Sequence, residues 1–141
     1  MSGTGTIDTI AAWHRYMADA SPALLDELLA DDVVFRSPAV HTPQAGKAIA
    51  AKYLLAAAQV LGTPAFRYAR EWRAERSAIL EFHTEVDGLQ GQGIDLIAGG
   101  EDGRIVEFTV MVRPLKALNA VIGRMAAALG AAPGRTQGKP I

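Results

Sequence analysis

The sequence predicts an α+β domain, with helices segregated from an antiparallel sheet. Two observations carry this. Apolar residues recur at helical spacing up to Leu61, then at period two from Phe66 to Arg113, then at helical spacing again after Pro114. The joints between the period-two runs are short and carry turn chemistry, Asp87-Gly88 and Gly99-Gly100-Glu101-Asp102-Gly103. Such joints imply antiparallel neighbours.

The elements follow in order. Met1 to Thr6 is rich in Gly, Ser and Thr and is expected to fray. Helical spacing starts at Ile7, and Ile10, Trp13, Met17 and Ala20 form one stripe with Tyr16 at its edge. Ser21-Pro22 reads as an N-cap with proline in the first turn, opening a short helix whose apolar face is Leu24, Leu25, Leu28 and Leu29. Asp31-Asp32 ends it, and Val33-Val34-Phe35 reads as a brief strand. Ser37-Pro38 through Pro43 is a loop. An alanine-rich helix runs from about Lys47 to Leu61, with Ile49, Tyr53, Ala57 and Leu61 at every fourth position. Four strands are expected at Phe66–Trp72, Ala78–Val86, Gly93–Ala98 and Ile105–Arg113. Leu115, Leu118, Val121, Ile122, Met125 and Leu129 make a final amphipathic helix. The expected organisation is one domain over 7–129, with loose ends at 1–6 and 130–141.

Composition narrows the function. The 141 residues are 50% apolar and 21% charged, which excludes wholesale disorder. A net charge of -1 lacks the basic footprint of a nucleic-acid binder. No apolar run approaches the ~18–20 residues of a membrane helix, and no signal peptide is expected. Cysteine is absent, which removes disulfides, thiolate metal sites and Cys nucleophiles and is compatible with a cytoplasmic location. The three histidines, His14, His41 and His83, fall in separate segments, so no metal site is expected.

Strand alternation sorts the remaining candidates. In the last strand Val106, Phe108, Val110 and Val112 point one way, and Glu107, Thr109, Met111 and Arg113 the other. In the second, Leu80, Phe82, Thr84 and Val86 oppose Glu81, His83 and Glu85. The outer face still carries Ile79 and Met111, a mixed surface suited to a dimer. Asp95 is the exception, a carboxylate in the apolar run Ile94-Asp95-Leu96-Ile97. With a tight Asp87-Gly88 hairpin it falls opposite Leu80 on the inner face; a shift of one residue puts it outside with Glu81 and His83.

Three strings, in this order, resemble the nuclear transport factor two-like superfamily in its SnoaL-like and ketosteroid-isomerase-like branch. They are Trp13-His14-Arg15-Tyr16, Leu28-Leu29-Ala30-Asp31-Asp32-Val33-Val34-Phe35 and Asp102-Gly103-Arg104-Ile105-Val106-Glu107-Phe108. The resemblance implies a cystatin-like cone. N-terminal helices wrap a curved antiparallel sheet around an apolar pocket, a C-terminal helix follows, and the sheet face makes a homodimer. It also implies site residues. Tyr16 matches the oxyanion tyrosine of the ketosteroid isomerases, and Asp95 their oxyanion aspartic acid. Their general-base aspartate precedes a proline, where this chain has Ser37 before Pro38. A serine cannot take a carbon-bound proton without a base of its own.

A carboxyl in an apolar pocket can stay protonated and donate alongside a tyrosine hydroxyl, as in the ketosteroid isomerases that the chain resembles. The expected catalytic pair is therefore Tyr16 and Asp95. Trp13, Ser37, Tyr53, Phe82, Phe108 and His41 are the expected ligand contacts, and His41 and His83 the candidates for a replacement base. His14 is expected to be solvated, and Arg36 and Arg113 to pair at strand edges. Two functions follow. One is a cofactor-independent isomerase, cyclase or hydratase acting on a small hydrophobic carbonyl or phenol compound; the other is a non-catalytic binding dimer of the same fold. A third reading is a structural dimer with a collapsed pocket.

Overall fold

A computed structural model describes residues 8–130. The ends expected to be loose, and Ile7, lie outside the described residues, apart from Gly130. The elements are α1 (Thr9–Asp19), α2 (Pro22–Leu28), β1 (Leu29–Arg36), β2 (Gln44–Ala45), α3 (Lys47–Leu61), β3 (Arg67–Arg73), β4 (Ser77–Val86), β5 (Leu89–Gly99), β6 (Ile105–Arg113) and α4 (Leu115–Ala128).

Local chemistry accounts for the helix starts. Asp8 caps α1 by accepting from the Ala11 amide at 3.1 Å, and Ser21 caps α2 from the Leu24 amide, with Pro22 as its first residue. β1 starts four residues before the expected Val33, because Leu29 is fully buried and pairs with Ile105 instead of extending the helix. β5 likewise begins earlier than Gly93. Asp87 and Gly88 both take positive φ, 54° and 77°, so the hairpin closes in two residues and Leu89 pairs with Val86 at once.

The six strands form one sheet in the order β2-β1-β6-β5-β4-β3. The antiparallel meander β3-β4-β5-β6 is as expected. The sheet as a whole is mixed, because β1 lies parallel to β6. Turn chemistry governs only neighbours joined by short loops, and β1 reaches β6 by way of most of the chain. Bulges interrupt the β1–β6, β3–β4 and β5–β6 registers and bend the sheet around its helices.

The core lies between the inner sheet face and the helices, with Trp13, Leu25, Phe35, Leu54, Leu80, Phe82, Ile97 and Phe108 among its buried members. The stripes expected for α3 and α4 are met in part, with Leu61 and Val121 buried as expected. α3 buries Ala50, Leu54 and Leu61 and leaves Ile49 exposed; α4 buries Ala117 and Val121 and leaves Leu115 exposed. Both helices are apolar over more than one row, so spacing identifies the helix without selecting its face.

Candidate functional site

A cavity of about 210 Å³ opens between α1, α3 and the inner sheet face. α1 contributes Trp13, Tyr16, Met17 and Ala20, and α3 contributes Leu54, Ala57, Ala58 and Leu61. Phe66 and Tyr68 line it from β3 and its approach, Asp95 from β5, and Phe108 and Val110 from β6. Its wall is apolar except for the indole, two tyrosine hydroxyls and one carboxyl.

Asp95 takes the inner-face register. It pairs with Leu80 on β4 and Val110 on β6 and is 6% exposed. The inner face of β5 reads Gly91, Gly93, Asp95, Ile97. Gly93 gives the Phe82 ring its place, since a Cβ there would lie 2.3 Å from the Met111 carbonyl oxygen and 2.5 Å from the ring. Burial pushes the Asp95 carboxyl up from 3.8 to about 7, against the opposing pull of a hydrogen bond from Tyr68.

That bond is one of two in a chain. The Trp13 indole N–H donates to the Tyr68 hydroxyl at 3.0 Å, and the Tyr68 hydroxyl donates to Asp95 Oδ2 at 2.5 Å. Burial first, and then the Asp95 charge, push the Tyr68 phenol far above its ordinary value. Tyr16 is 2% exposed and its hydroxyl has no partner among the described residues; burial raises its phenol too. An unpartnered buried hydroxyl costs ~1–3 kcal/mol, which a ligand oxygen would relieve.

Tyr68 is the site residue that sequence reasoning missed. Phe66 and Tyr68 share a face, but a bulge between Tyr68 and Arg70 reverses the alternation beyond it. Tyr68 therefore faces the cavity while Arg70 and Trp72 turn outward. The available signal was Tyr68 at the start of a strand with Phe66 two residues earlier. It becomes readable only when the β3–β4 register pairs Tyr68 with inward-facing Phe82.

Of the expected ligand contacts, Trp13 and Phe108 line the cavity. Ser37, His41, Tyr53 and Phe82 are not in its wall. The Ser37 Oγ accepts from the Ala39 amide at 2.8 Å in a turn of its own, and His41 is exposed. Tyr53 packs on Phe35 at 5.5 Å, and Phe82 is fully buried beneath Phe66. His83 lies on the outer face, 3.0 Å from Glu81. His14, expected in solvent, sits 2.8 Å from Glu71. Arg36 pairs with Glu107 at 3.4 Å, and Arg113 donates to Gln92 at 2.7 Å.

The outer sheet face carries a polar network. Arg70 and Gln92 donate to Glu81 at 2.5 and 2.8 Å, and with His83 they hold its carboxyl down to about 2. Trp72 and Met111, each 51% exposed, flank it. Among the described residues no cluster of three or more His, Asp or Glu side chains is arranged to hold a metal. No helix among them is long and apolar enough to cross a membrane.

No protein-family model matches the sequence, and no curated protein matches it closely. Solved structures do. A steroid delta-isomerase from Pseudomonas aeruginosa is 39% identical over 86% of this chain and 89% of its own, with a TM-score of 0.81. An uncharacterised bacterial protein with a cystatin-like fold from Silicibacter pomeroyi is 34% identical over 84% of this chain and 83% of its own, with a TM-score of 0.78. A nuclear transport factor two-like protein of unknown function from Mesorhizobium loti shares the fold at 24% identity, over 76% of this chain and 92% of its own, with a TM-score of 0.64. With this sheet, these helices and these relatives, the chain belongs to the nuclear transport factor two-like superfamily, among its SnoaL-like and ketosteroid-isomerase-like members.

Proposed function

We propose that this chain is a cofactor-independent isomerase, cyclase or hydratase acting on a small hydrophobic carbonyl or phenol compound. The observation that carries the reading is the unpartnered Tyr16 hydroxyl, buried in the same apolar cavity as Asp95. The Trp13 indole N–H and the Tyr68 hydroxyl proton are already engaged. A ligand is therefore met by Tyr16 and by the second oxygen of Asp95, Oδ1. Those two groups suit one oxygen on an otherwise apolar body. The volume, below the ~300–1,000 Å³ of drug-sized sites, favours a compact ring system.

The protonated Asp95 and Tyr16 donate together to a carbonyl, phenol or enolate oxygen, where charge develops in the reaction. Among the described residues no histidine, lysine or second carboxyl lines the cavity, and both tyrosines are too weakly acidic to exchange protons near neutrality. Proton transfer inside the cavity therefore runs through Asp95, whose value near 7 populates both its forms at neutral pH.

The test is a titration of phenols of graded acidity against the wild type, Asp95→Asn and Tyr16→Phe. Tighter binding with rising phenol acidity in the wild type, flattened in both variants, supports the reading. Equal affinities in all three proteins refute it.

A non-catalytic binding dimer is the second reading, favoured by Ser37 standing where the ketosteroid isomerases carry their base. Phenol binding by the wild type with no enone isomerisation at any pH from about 5 to about 9 would favour it. In both readings the protein works as a homodimer through the outer sheet face. The exposed Trp72 and Met111 beside a polar network support that arrangement.

A further inference from the structure

We propose that Tyr68, backed by Trp13, is a positioning residue for Asp95, holding Oδ2 so that Oδ1 alone carries or receives the proton at the cavity. The inference rests on the proposed role of Asp95 and adds a second layer to it.

The geometry supplies the argument. A carboxyl has two equivalent oxygens, and a free one protonates on either. Here Oδ2 accepts a 2.5 Å bond from the Tyr68 hydroxyl. Tyr68 has spent its only proton on that bond, and its oxygen accepts from the Trp13 indole N–H at 3.0 Å. The indole can only donate, which fixes the first link, and the Tyr68 oxygen so engaged directs its own proton to the carboxyl: indole to phenol to carboxyl. A proton placed on Oδ2 would oppose the Tyr68 hydroxyl head-on. The titrating proton therefore belongs to Oδ1, which has no hydrogen-bond partner among the described residues, while Asp95 lines the cavity.

The chain also moderates the carboxyl. Burial favours the neutral acid, and the Tyr68 bond favours the carboxylate. The two together place the group near neutrality, where both protonation states are populated. Trp13 strengthens the effect by polarising the hydroxyl that donates. The titratable groups facing Asp95 are Tyr16 from α1 and Tyr68 from β3; α3 and β6 present none to the cavity, and the β4 partner is Leu80. Glu71, further along β3, is engaged by His14 and Arg73.

Packing holds the donor in place. The Tyr68 ring meets Phe66 edge-on at 5.1 Å and lies 6.5 Å from Phe82. Trp13 packs on Phe108 at 4.7 Å and on Tyr16 at 5.1 Å. One aromatic cluster therefore fixes both links of the chain and the unpartnered hydroxyl beside it.

The experiment is a carbon-13 NMR titration of the Asp95 side-chain carboxyl in the ligand-free protein. It compares the wild type with Tyr68→Phe and Trp13→Phe. Tyr68→Phe loses one oxygen and keeps its ring, and Trp13→Phe keeps an aromatic body. Unopposed burial should raise the midpoint by about one to two pH units in Tyr68→Phe. Trp13→Phe should raise it by roughly a tenth to a third as much. A Tyr68→Phe midpoint equal to the wild type's overturns the proposal, as does a lower one. Asp95→Asn identifies the resonance. The titration uses no ligand, so phenols that fail to bind would refute the proposed function and leave this inference to be decided by the midpoints alone.

Discussion

Replacing Asp95 by Asn should make the protein more stable, and by an amount that grows with pH. The Asp95 carboxyl lies at about 7 in the folded chain against an ordinary 3.8. Between those values the folded protein holds a proton that the unfolded chain has released. The folded state binds more protons, so stability falls as pH rises through this window, then levels off above about 7. Each unit of displacement is worth ~1.4 kcal/mol, so the full interval amounts to about 4 kcal/mol. About 2–3 kcal/mol of it falls between about pH 5 and about pH 8, where carboxylates with ordinary values contribute little. Asparagine does not titrate, and its amide oxygen still accepts from Tyr68. Urea unfolding of both proteins across that range isolates the contribution, because every other group cancels in the difference. At ~1–3 kcal/mol per molar urea, the gap between the two midpoints should widen by roughly 1–2 M toward high pH. Curves that run parallel from acid to alkaline pH would refute the reasoning, because a carboxyl that ionises as easily folded as unfolded is not dry.

Tyr16→Phe should move stability and binding in opposite directions. Removing a buried hydroxyl with no partner should raise the thermal midpoint, by the equivalent of about 1 kcal/mol, while phenol affinity falls. Calorimetry with and without phenol reads both. Gly93→Ala should cost ~1–3 kcal/mol or more in urea unfolding, since the added methyl meets the Met111 carbonyl, which cannot move aside. Trp72→Ser with Met111→Ser should lower the mass seen by light scattering toward that of a single chain at micromolar concentration. An unchanged dimer would remove the outer sheet face as its interface.

The legible part of this molecule was the part written in strong local signals. The Asp87-Gly88 turn fixes the β4–β5 register, and with it the inward position of Asp95, because a two-residue loop leaves the pairing no freedom. The caps at Ser21-Pro22 and the alanine run of α3 marked their helices equally well. What stayed hidden depends on non-local geometry. The parallel β1–β6 pair has no local turn to announce it. Tyr68 was hidden by the bulge that follows it, which breaks the alternation used to sort the faces. The faces of α3 and α4 were hidden by excess hydrophobicity, since neighbouring apolar rows compete for the same sheet. Of the expected contacts, those carried by α1 and by alternation on β6 reached the cavity wall, whereas Ser37 and His41 sit in a loop whose path no local pattern dictates.

The site breaks the rules that the rest of the chain obeys. Elsewhere the inner sheet face is apolar or glycine, and Thr84, its buried hydroxyl, donates to the Leu61 carbonyl at 2.7 Å. Asp95 is a carboxyl where an amide would fold more stably above neutral pH, and Tyr16 is a hydroxyl where phenylalanine would. Two such costs in one cavity are poorly explained by packing, which would remove both with single substitutions. Both diminish when an oxygen-bearing ligand enters, because the acid gains an acceptor and the hydroxyl gains a partner. On the proposed reading the Trp13–Tyr68 chain keeps the carboxyl from sinking into permanent neutrality, and so preserves the one group among the described residues of the cavity wall that can exchange a proton at physiological pH.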